Sequence, residues 1–457
     1  MRMEEMWKKD KALAHALAEK VQAAGGRVYY VGGYVRDLLL GKENKDIDVE
    51  VHGIAPHILE NILDGMGERL SMGESFGIYS LKGTSLDIAM PRREKAIGGG
   101  HRDFETFVDP HIGAAEAAMR RDFTVNALMM DVLTGEIIDC FGGRRDIDER
   151  MLRHVNDESF SEDALRVLRG AQFAARFDFA VAEETVALCR KIDLSLLSRE
   201  RVEGELKKAL LKAEKPSIFF ETLRRMDALS VWFSELSALI GVEQNPRYHA
   251  EGDVWNHTMM VLDEAAKRRE ASSFPMGFMM TALVHDFGKA ICTRVVDGKI
   301  ISHNHETKGL PLIERFLRRI TSETKLISYV LRLAAAHMKP NMLAGQGSSV
   351  KATNKMFDSV DAPRDLVLFA AADHAGRLIT GEERSYDDFL YARLAIYEEI
   401  MSRPFVMGRD LVEAGLAPNA RFSDLLSYAH KLRLVGVPKE EALKQTMALA
   451  RSDKNKA

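Results

Sequence analysis

The sequence predicts an α+β chain: a small mixed sheet with helices at the N-terminal end, then segments built from helices. Three stretches carry this. Residues 29–53, YYVGGYVRDLLLGKENKDIDVEVHG, read as strand, glycine turn, helix, polar turn and strand. Residues 75–90, SFGIYSLKGTSLDIAM, alternate as two strands about a Gly-Thr-Ser turn. From Phe160 onward the apolar spacing is helical. A length of 457 residues fits about three domains or slightly more. The division expected is a head at 1–150, a helical neck and body at 151–245, a histidine-rich helical domain at 246–400 and a helical tail at 401–457.

Composition narrows the class. Apolar residues make up 46% of the chain, an ordinary globular share. The net charge of −4 gives no global basic signal, so any nucleic-acid contact must come from local clusters. Cys140, Cys189 and Cys292 are widely spaced and form no disulfide or zinc framework, as suits a reducing compartment. The charged, helix-periodic start MRMEEMWKKDKALAHALAEK is not a signal peptide, and no apolar run approaches a membrane span. A cytoplasmic protein without membrane contact is expected, monomeric or dimeric.

Residues 1–24 read as an amphipathic helix ended by Gly25-Gly26. In the next stretch, a turn at Gly32-Gly33 opening a helix near Tyr34 offers backbone N–H groups to an anion. The second strand is expected to carry Asp46 and Asp48 on one face with Glu50, while Ile47, Val49 and Val51 face the core. Adjacent carboxylates repel unless a cation lies between them. A hard cation such as Mg²⁺ is the natural occupant and commonly bridges to substrate phosphates. A lone Gly-Gly is usually only a turn, and Asp-x-Asp is common on surfaces. Their combination in strand–turn–helix–turn–strand order points to nucleotidyl transfer.

These residues, GGYVRD followed by KDIDVEV, resemble the head of the class II tRNA nucleotidyltransferases and bacterial poly(A) polymerases, a branch of the polymerase-β-like nucleotidyltransferases. The resemblance implies a polymerase-β-like head, with Asp46 and Asp48 catalytic and holding Mg²⁺, and Gly32, Gly33 and Arg36 near the nucleotide. His57–Met66 is expected to be helical. Asp87, in the second strand of 75–90, is either a third carboxylate near the metals or a structural partner for an arginine. PRREKAIGGGHRDFETFVDP (91–110) reads as a mobile loop. It stands where family members carry the loop needed for adding the terminal A.

MRRDFTVNALMMD (119–131) follows. Arg120 and Arg121 can grip a triphosphate as fork donors. Asp122 and Asn126, four apart, would share a helix face and hydrogen-bond a ribose hydroxyl. Without context these are a capped helix and solvated arginines; RRDFTVNAL, however, is a close match to the family's ribose-binding motif. Residues 135–155, GEIIDCFGGRRDIDERMLRHV, resemble the motif joining head to neck, with Cys140 where the family usually has Pro.

FSEDALRVLRGAQFAARFDF (160–179) places Asp163 and Arg166 three apart, as neighbours on one helix face. Cytosine and adenine each present an amino donor beside a ring-nitrogen acceptor. A carboxylate accepting and a guanidinium donating side by side therefore pair with C or A and reject G and U. An i,i+3 surface salt bridge is the bland alternative. EDALR resembles the family's base-selecting motif, which favours the template role; Arg169 and Arg176 follow and would neutralise phosphate. Arg199, Arg201, Lys207, Lys208 and Lys212 form a local basic surface, suited to tRNA or simply solvated.

Past Gly241 histidines accumulate: His249, His257, His285-Asp286, His303, His305, His337 and Asp373-His374. A lone histidine on an apolar helix is usually a satisfied core residue. A His-Asp dipeptide in an apolar helix, with a preceding histidine and a following aspartate, resembles the HD phosphohydrolase superfamily. The resemblance implies metal ligands His257, His285, Asp286 and Asp373, with His305 and His337 where dinuclear members carry extra ligands. Imidazole with carboxylate suits Ni, Mn, Co, Fe or Zn and makes hydrolysis near neutral pH accessible. His303 and His374 read as supporting or surface residues, and the role of His249 is open.

The resemblance covers nearly the whole chain. It implies template-independent addition of CCA to tRNA from CTP and ATP, joined to an HD phosphohydrolase. A poly(A) polymerase or A-adding enzyme shares every head motif. A different class of reading is an RNA-binding HD phosphohydrolase with an inactive head; intact Asp46, Asp48, Arg121, Asp163 and Arg166 speak against it.

Overall fold

A computed structural model describes residues 2–44, 46–70, 77–96, 104–378 and 385–452. The chain forms two compact units, one of 1–197 with 218–228, the other of 198–217 with 229–457. These units divide the chain elsewhere than the four expected segments. The helix Arg199–Lys212, assigned above to the neck, packs on the helix Pro275–Val284 of the second unit.

The first unit opens with the helix Arg2–Ala23, whose Ala14, Leu17, Ala18 and Val21 are buried at helical spacing. Nine strands follow: β1 (Arg27–Val31), β2 (Asp48–His52), β3 (Arg69–Leu70), β4 (Ile78–Leu81), β5 (Asp87–Ala89), β6 (Arg92–Ala96), β7 (Phe104–Val108), β8 (Met129–Asp131) and β9 (Ile137–Ile138). Seven of them form one mixed sheet in the order β3-β4-β5-β2-β1-β8-β9. Only β2–β5 is parallel; the other pairs are antiparallel. Val49 and Val51 of β2 are fully buried, as the alternation requires.

Strand β2 begins at Asp48, so Asp46 lies just before it rather than within it. The side chain of Asn44 accepts from the Asp46 N–H at 3.0 Å, an Asx turn that keeps this backbone out of the ladder. Residues 91–110 are not a plain loop. β6 and β7 form an antiparallel ribbon from Arg92↔Val108 to Ala96↔Phe104, and the three glycines between them lie outside the described residues. So do residues 71–76 at the start of the 75–90 stretch. The neck region carries a short parallel pairing of Met151–Leu152 with Ala180–Val181, an exception to its expected all-helical character.

Among the described residues the second unit is helical apart from one ribbon, Arg294–Val296 with Lys299–Ile301. Its turn is Asp297-Gly298, both at positive φ (50° and 70°), the Asp-Gly hairpin chemistry that the helical reading passed over. The helix Pro275–Val284 is buried on every side and forms the centre of this unit, packed by Val254–Ala266, Thr324–Ala336 and Pro363–Ala375. The tail helices Gly408–Glu413, Phe422–Leu434 and Lys439–Ser452 build a small core of their own around Leu411, Leu425, Ala429, Ala442 and Met447.

Candidate active site and metal centre

In the first unit, the turn after β1 and the carboxylate of β2 meet. Gly32 has φ +64°, and a Cβ built there would lie 3.4 Å from Nη1 of Arg121 and 3.9 Å from Oδ2 of Asp48. The positive φ favours glycine here, and the two distances are ordinary van der Waals contacts that bring Arg121 and Asp48 to the turn. β5 sets Asp87 directly opposite Asp48 in the parallel register. Asp48 is half-buried. Burial raises its pKa above the ordinary carboxylate value, and Asp87 and Asp46 raise it further against the pull of Arg121. Asp46 and Asp87 are exposed. Burial and mutual repulsion both disfavour the charged form of Asp48, and a bound cation would favour it.

Arg121 is held from behind. Its Nη2 donates to Glu50 Oε2 at 3.3 Å, and Glu50 Oε1 lies 2.7 Å from His52 Nε2. Glu50 is buried. Burial pushes its carboxyl up, but the bonds to His52 and Arg121 outweigh this and hold it below its usual value. Glu50 and His52 were not singled out as functional; period-two alternation placed Glu50 on the face of Asp48 but could not reveal its partners.

The ribose-motif residues are arranged differently from the expected helix face. Residues Thr124–Asn126 form a single 3-10 turn. Asp122 Oδ1 accepts from the Phe123 N–H at 2.8 Å and from Asn126 Nδ2 at 2.9 Å, and Oδ2 accepts from Arg169 Nε at 2.7 Å. Asp122 thus bonds the adjacent backbone N–H and the Asn126 side chain, local bonds that compete with a regular helix here. Burial raises Asp122, yet Arg169 and Asn126 bring its pKa below the ordinary value. Arg36 is also buried, with Nη1 donating to Asn126 Oδ1 at 2.6 Å and Nε to Asp37 Oδ1 at 2.8 Å. Asn44 Nδ2 donates to Asp37 Oδ2 at 2.8 Å. One chain of bonds thus runs Asn44–Asp37–Arg36–Asn126–Asp122–Arg169, with Arg36 stacked 4.3 Å from the Phe177 ring. The motif at 135–155 braces the same turn: Thr124 Oγ1 donates to buried Asp146 at 2.6 Å, and a Cβ on Gly143 would strike Thr124 O at 2.3 Å.

Asp163 and Arg166 do not share a helix face. The helix runs Leu165–Phe177, and Asp163 precedes it, its Oδ1 accepting from the Leu165 N–H at 3.0 Å. Arg166 donates from Nη1 to Ser159 O and from Nη2 to Arg120 O, the latter at 2.8 Å. The guanidinium is therefore fixed in direction by two backbone carbonyls.

In the second unit, the histidine cluster is assembled at helix ends. His285-Asp286 sits just past the end of Pro275–Val284 rather than inside it. The ring of His285 bonds from Nδ1 to Ala282 O (3.0 Å), and His337, just past Thr324–Ala336, bonds from Nδ1 to Ala334 O (2.6 Å). Carbonyls in the last turn of each helix thus accept a hydrogen bond from Nδ1–H, which turns Nε2 toward the centre. His305 does the same through Ser302 O at 2.8 Å. The turn is tight: a Cβ on Gly288 would lie 2.0 Å from His305 O.

Three groups of candidate ligand atoms result, each within 4.8 Å: His257, His285 and Asp373, and Asp286, His305 and His337, all buried, and the partly buried set of His249, Glu251 and His257. Asp286 joins the two buried groups, with Oδ2 at 3.2 Å from His285 Nε2 and Oδ1 at 3.1 Å from His305 Nε2. The Nε2 atoms of His257 and His285, Oδ1 of Asp286 and Oδ1 of Asp373 are buried and make no well-directed hydrogen bond. Buried polar groups are rarely left so, and a divalent cation fits this inward-facing donor set. Despite burial, Asp286 is held well below the ordinary range by His285 and Lys289, and Asp373 by Arg377 and His257. Burial and the nearby His285 push His337 down to about 3.

Further side chains at this centre were not singled out. Lys289 Nζ is 2.7 Å from Asp286 Oδ2 and donates to Gln244 Oε1 at 2.8 Å. Glu251 Oε1 lies 2.8 Å from Nδ1 of His249 and 3.1 Å from Nδ1 of His257, which gives His249 a place behind the cluster. The spacing H-x-E-G-D was visible in the sequence; the carboxylate's orienting role was not. His303 is exposed and His374 half-buried. Among the described residues no comparable gathering of ligand atoms occurs in the first unit, and no helix is long and apolar enough to cross a membrane.

The fold and these two centres define a chain with a nucleotidyltransferase-type head and a helical unit that carries a buried cluster of histidines and aspartates. Residues 28–153 match the poly A polymerase head domain family. The multifunctional CCA protein of Acinetobacter baylyi is 37% identical over 321 residues, covering 68% of this chain and 74% of that protein. That of Pseudoalteromonas atlantica is 36% identical over 406 residues, covering 85% and 94%. The fold resembles the Thermotoga maritima CCA-adding enzyme solved with tRNA (TM-score 0.63, 20% identity, 96% and 95% coverage) and the Bacillus stearothermophilus CCA-adding enzyme solved with CTP (0.63, 21%, 97% and 98%). The chain belongs to the multifunctional CCA protein family.

Proposed function

We propose that this chain adds C, C and A to the 3′ end of tRNA from CTP and ATP, releasing pyrophosphate, in the cytoplasm. The convergence of Gly32, Asp48 and Arg121, with Asp87 in register, carries this reading. Relatives named multifunctional CCA proteins support it, as does the likeness to CCA-adding enzymes solved with tRNA, CTP and ATP. Asp46 and Asp48 are the residues to hold Mg²⁺, with Asp87 a third candidate. That metal, when bound, supplies Lewis-acid activation of the attacking 3′-oxygen and stabilises the leaving pyrophosphate. Arg121, aimed by Glu50, binds the triphosphate through its outward N–H groups. Asp122, Asn126 and Arg36 form the buried frame that fixes the ribose side of the pocket.

Asp163 and Arg166 are our candidates for base choice. Arg166 keeps three N–H donors beyond the two aimed at Ser159 O and Arg120 O, enough to present a donor edge beside an Asp163 oxygen. Incubation with tRNA lacking CCA, tRNA ending in CC and an unrelated RNA, each with labelled CTP or ATP, tests the whole reading. C incorporation restricted to tRNA lacking CCA is expected. Addition of A alone, to any RNA, would establish a poly(A) polymerase instead.

We propose for the second centre a metal-dependent phosphohydrolase acting on phosphate esters at RNA ends: 2′,3′-cyclic phosphates, 2′-nucleotides or phosphate monoesters. His257, His285, Asp286 and Asp373 would hold one transition metal, and His305 with His337 a second through Asp286. Such a metal supplies a nucleophile at neutral pH and polarises the phosphorus centre. Lys289 keeps Asp286 ionised, and Glu251 holds the His257 ring in one tautomer.

A further inference from the structure

A groove of about 790 Å³ lies in the second unit between the helices Val350–Phe357 and Phe422–Leu434. Leu426, Leu432, Leu434 and Val435 supply apolar surface to it. Lys351 and Lys355, one helical turn apart, line one wall, and Lys431 lines the other. Ser423 and Ser427, exposed and also one turn apart, add hydroxyls.

Among the described residues, none of the three ammonium groups has an ion-pair or hydrogen-bond partner. The one carboxylate lining the groove, Asp358, is engaged by His430 Nε2 at 2.8 Å. Neighbouring cations of the same module are committed: Lys439 to Asp410 at 2.7 Å, Arg403 to Glu399 at 2.6 Å, and Arg433 to Met401 O. Three unspent positive charges on two walls of one groove, in a chain of net charge −4, call for an anionic occupant. Charges on both walls, with the hydroxyls of Ser423 and Ser427 along the same helix as Lys431, suit a string of anions. The apolar surface suits ribose and base faces.

We propose that this groove binds the sugar–phosphate backbone of the RNA substrate, away from the end being extended. The proposal rests on the tRNA-acting reading above. The lysines neutralise phosphates and release counterions, Ser423 and Ser427 donate to phosphate oxygens, and Leu426 and Leu432 meet the sugar edge.

The test is a triple variant, Lys351→Gln, Lys355→Gln and Lys431→Gln, in the full chain, with tRNA binding measured across a salt series. The Kd should rise about tenfold or more, and the slope of log Kd against log salt should fall by about two, because each neutralised phosphate contributes about 0.7–0.9. The KM for CTP and the metal content of the histidine centre should not change, and the Lys→Arg triple variant should restore binding. Unchanged Kd and slope in a folded triple variant would overturn the proposal and leave the groove a solvated face or the seat of an acidic protein segment. Wild-type chain that binds tRNA through this groove but incorporates no C would sink the transferase reading alone. C incorporation with an unaffected triple variant would sink the groove alone.

Discussion

On the reading proposed above, the head carboxylates and the histidine cluster would each hold a divalent cation, and they are built for it in opposite ways. In the head, Asp46 and Asp87 are exposed and Asp48 is half-buried, and their ligand atoms are not drawn together. In the second unit six ligands are buried, with rings locked by backbone carbonyls. A hard cation that keeps its waters and is completed by substrate phosphates needs only an open shelf of oxygen. A transition metal held by imidazole needs a cage built before it arrives. The contrast teaches that the head site is finished by its substrate, whereas the histidine site is finished by the fold.

The comparison breaks most directly with paired substitutions. Asp48→Ala should lower C incorporation by at least about a thousandfold, the scale of losing metal-based charge stabilisation, while metal content and phosphatase activity persist. His285→Ala should do the reverse, measured as loss of bound transition metal by elemental analysis. Loss of both activities in either variant would contradict two separate centres.

A smaller effect concerns the frame under the head site. Arg36→Ala strands Asp37 and Asn126 without their buried donor and should cost about 3–5 kcal/mol in chemical denaturation, the usual scale for breaking a buried pair. An exposed nucleotide-contacting arginine would instead cost little stability and much binding. Glu50→Gln sharpens the role of Arg121. With aim loosened but the guanidinium retained, the KM for CTP should rise about tenfold with less change in kcat; an unchanged KM would make Glu50 purely structural.

The smallest effect is in acid. The folded-state pKa values of Glu50 and Asp122 are depressed, so their stabilising contribution is complete above the ordinary values of 4.5 and 3.8 and is lost as pH falls through the lower folded values. The drop in Tm below about pH 4 should be shallower in Asp122→Asn than in wild type. Equal slopes would rule out Asp122 as a contributor.

Much of the fold was legible because it rests on periodicity. The first helix, β1, β2, β4 and β5, and the helical second half follow from spacings of 3.6 and 2. The β6–β7 ribbon was not legible, because charged residues and a Gly-Gly-Gly run resemble a loop whatever their backbone pairing. Nor were the breaks before β2, at Asp163 and after Val284. Each is decided by a short polar side chain or a squeezed glycine competing with the regular ladder, a balance of a single hydrogen bond.

By itself, the sequence determined the chemical inventory: paired carboxylates after a glycine turn, an Arg-Asp motif, an Asp-x-x-Arg pair, and a set of histidines and aspartates. Residue type and local spacing are written there, and they suffice to name reaction classes. Tertiary structure alone decided which of these groups face outward and which are consumed. It turned Arg36, Asp122 and Asn126 into a buried chain of bonds, placed Asp87 beside Asp48, enlisted Glu50, Glu251 and Lys289, and assembled Lys351, Lys355 and Lys431 into one groove. The physical reason is that hydrogen bonds and burial are satisfied across residues far apart in sequence, and no local spacing encodes which distant partner will arrive.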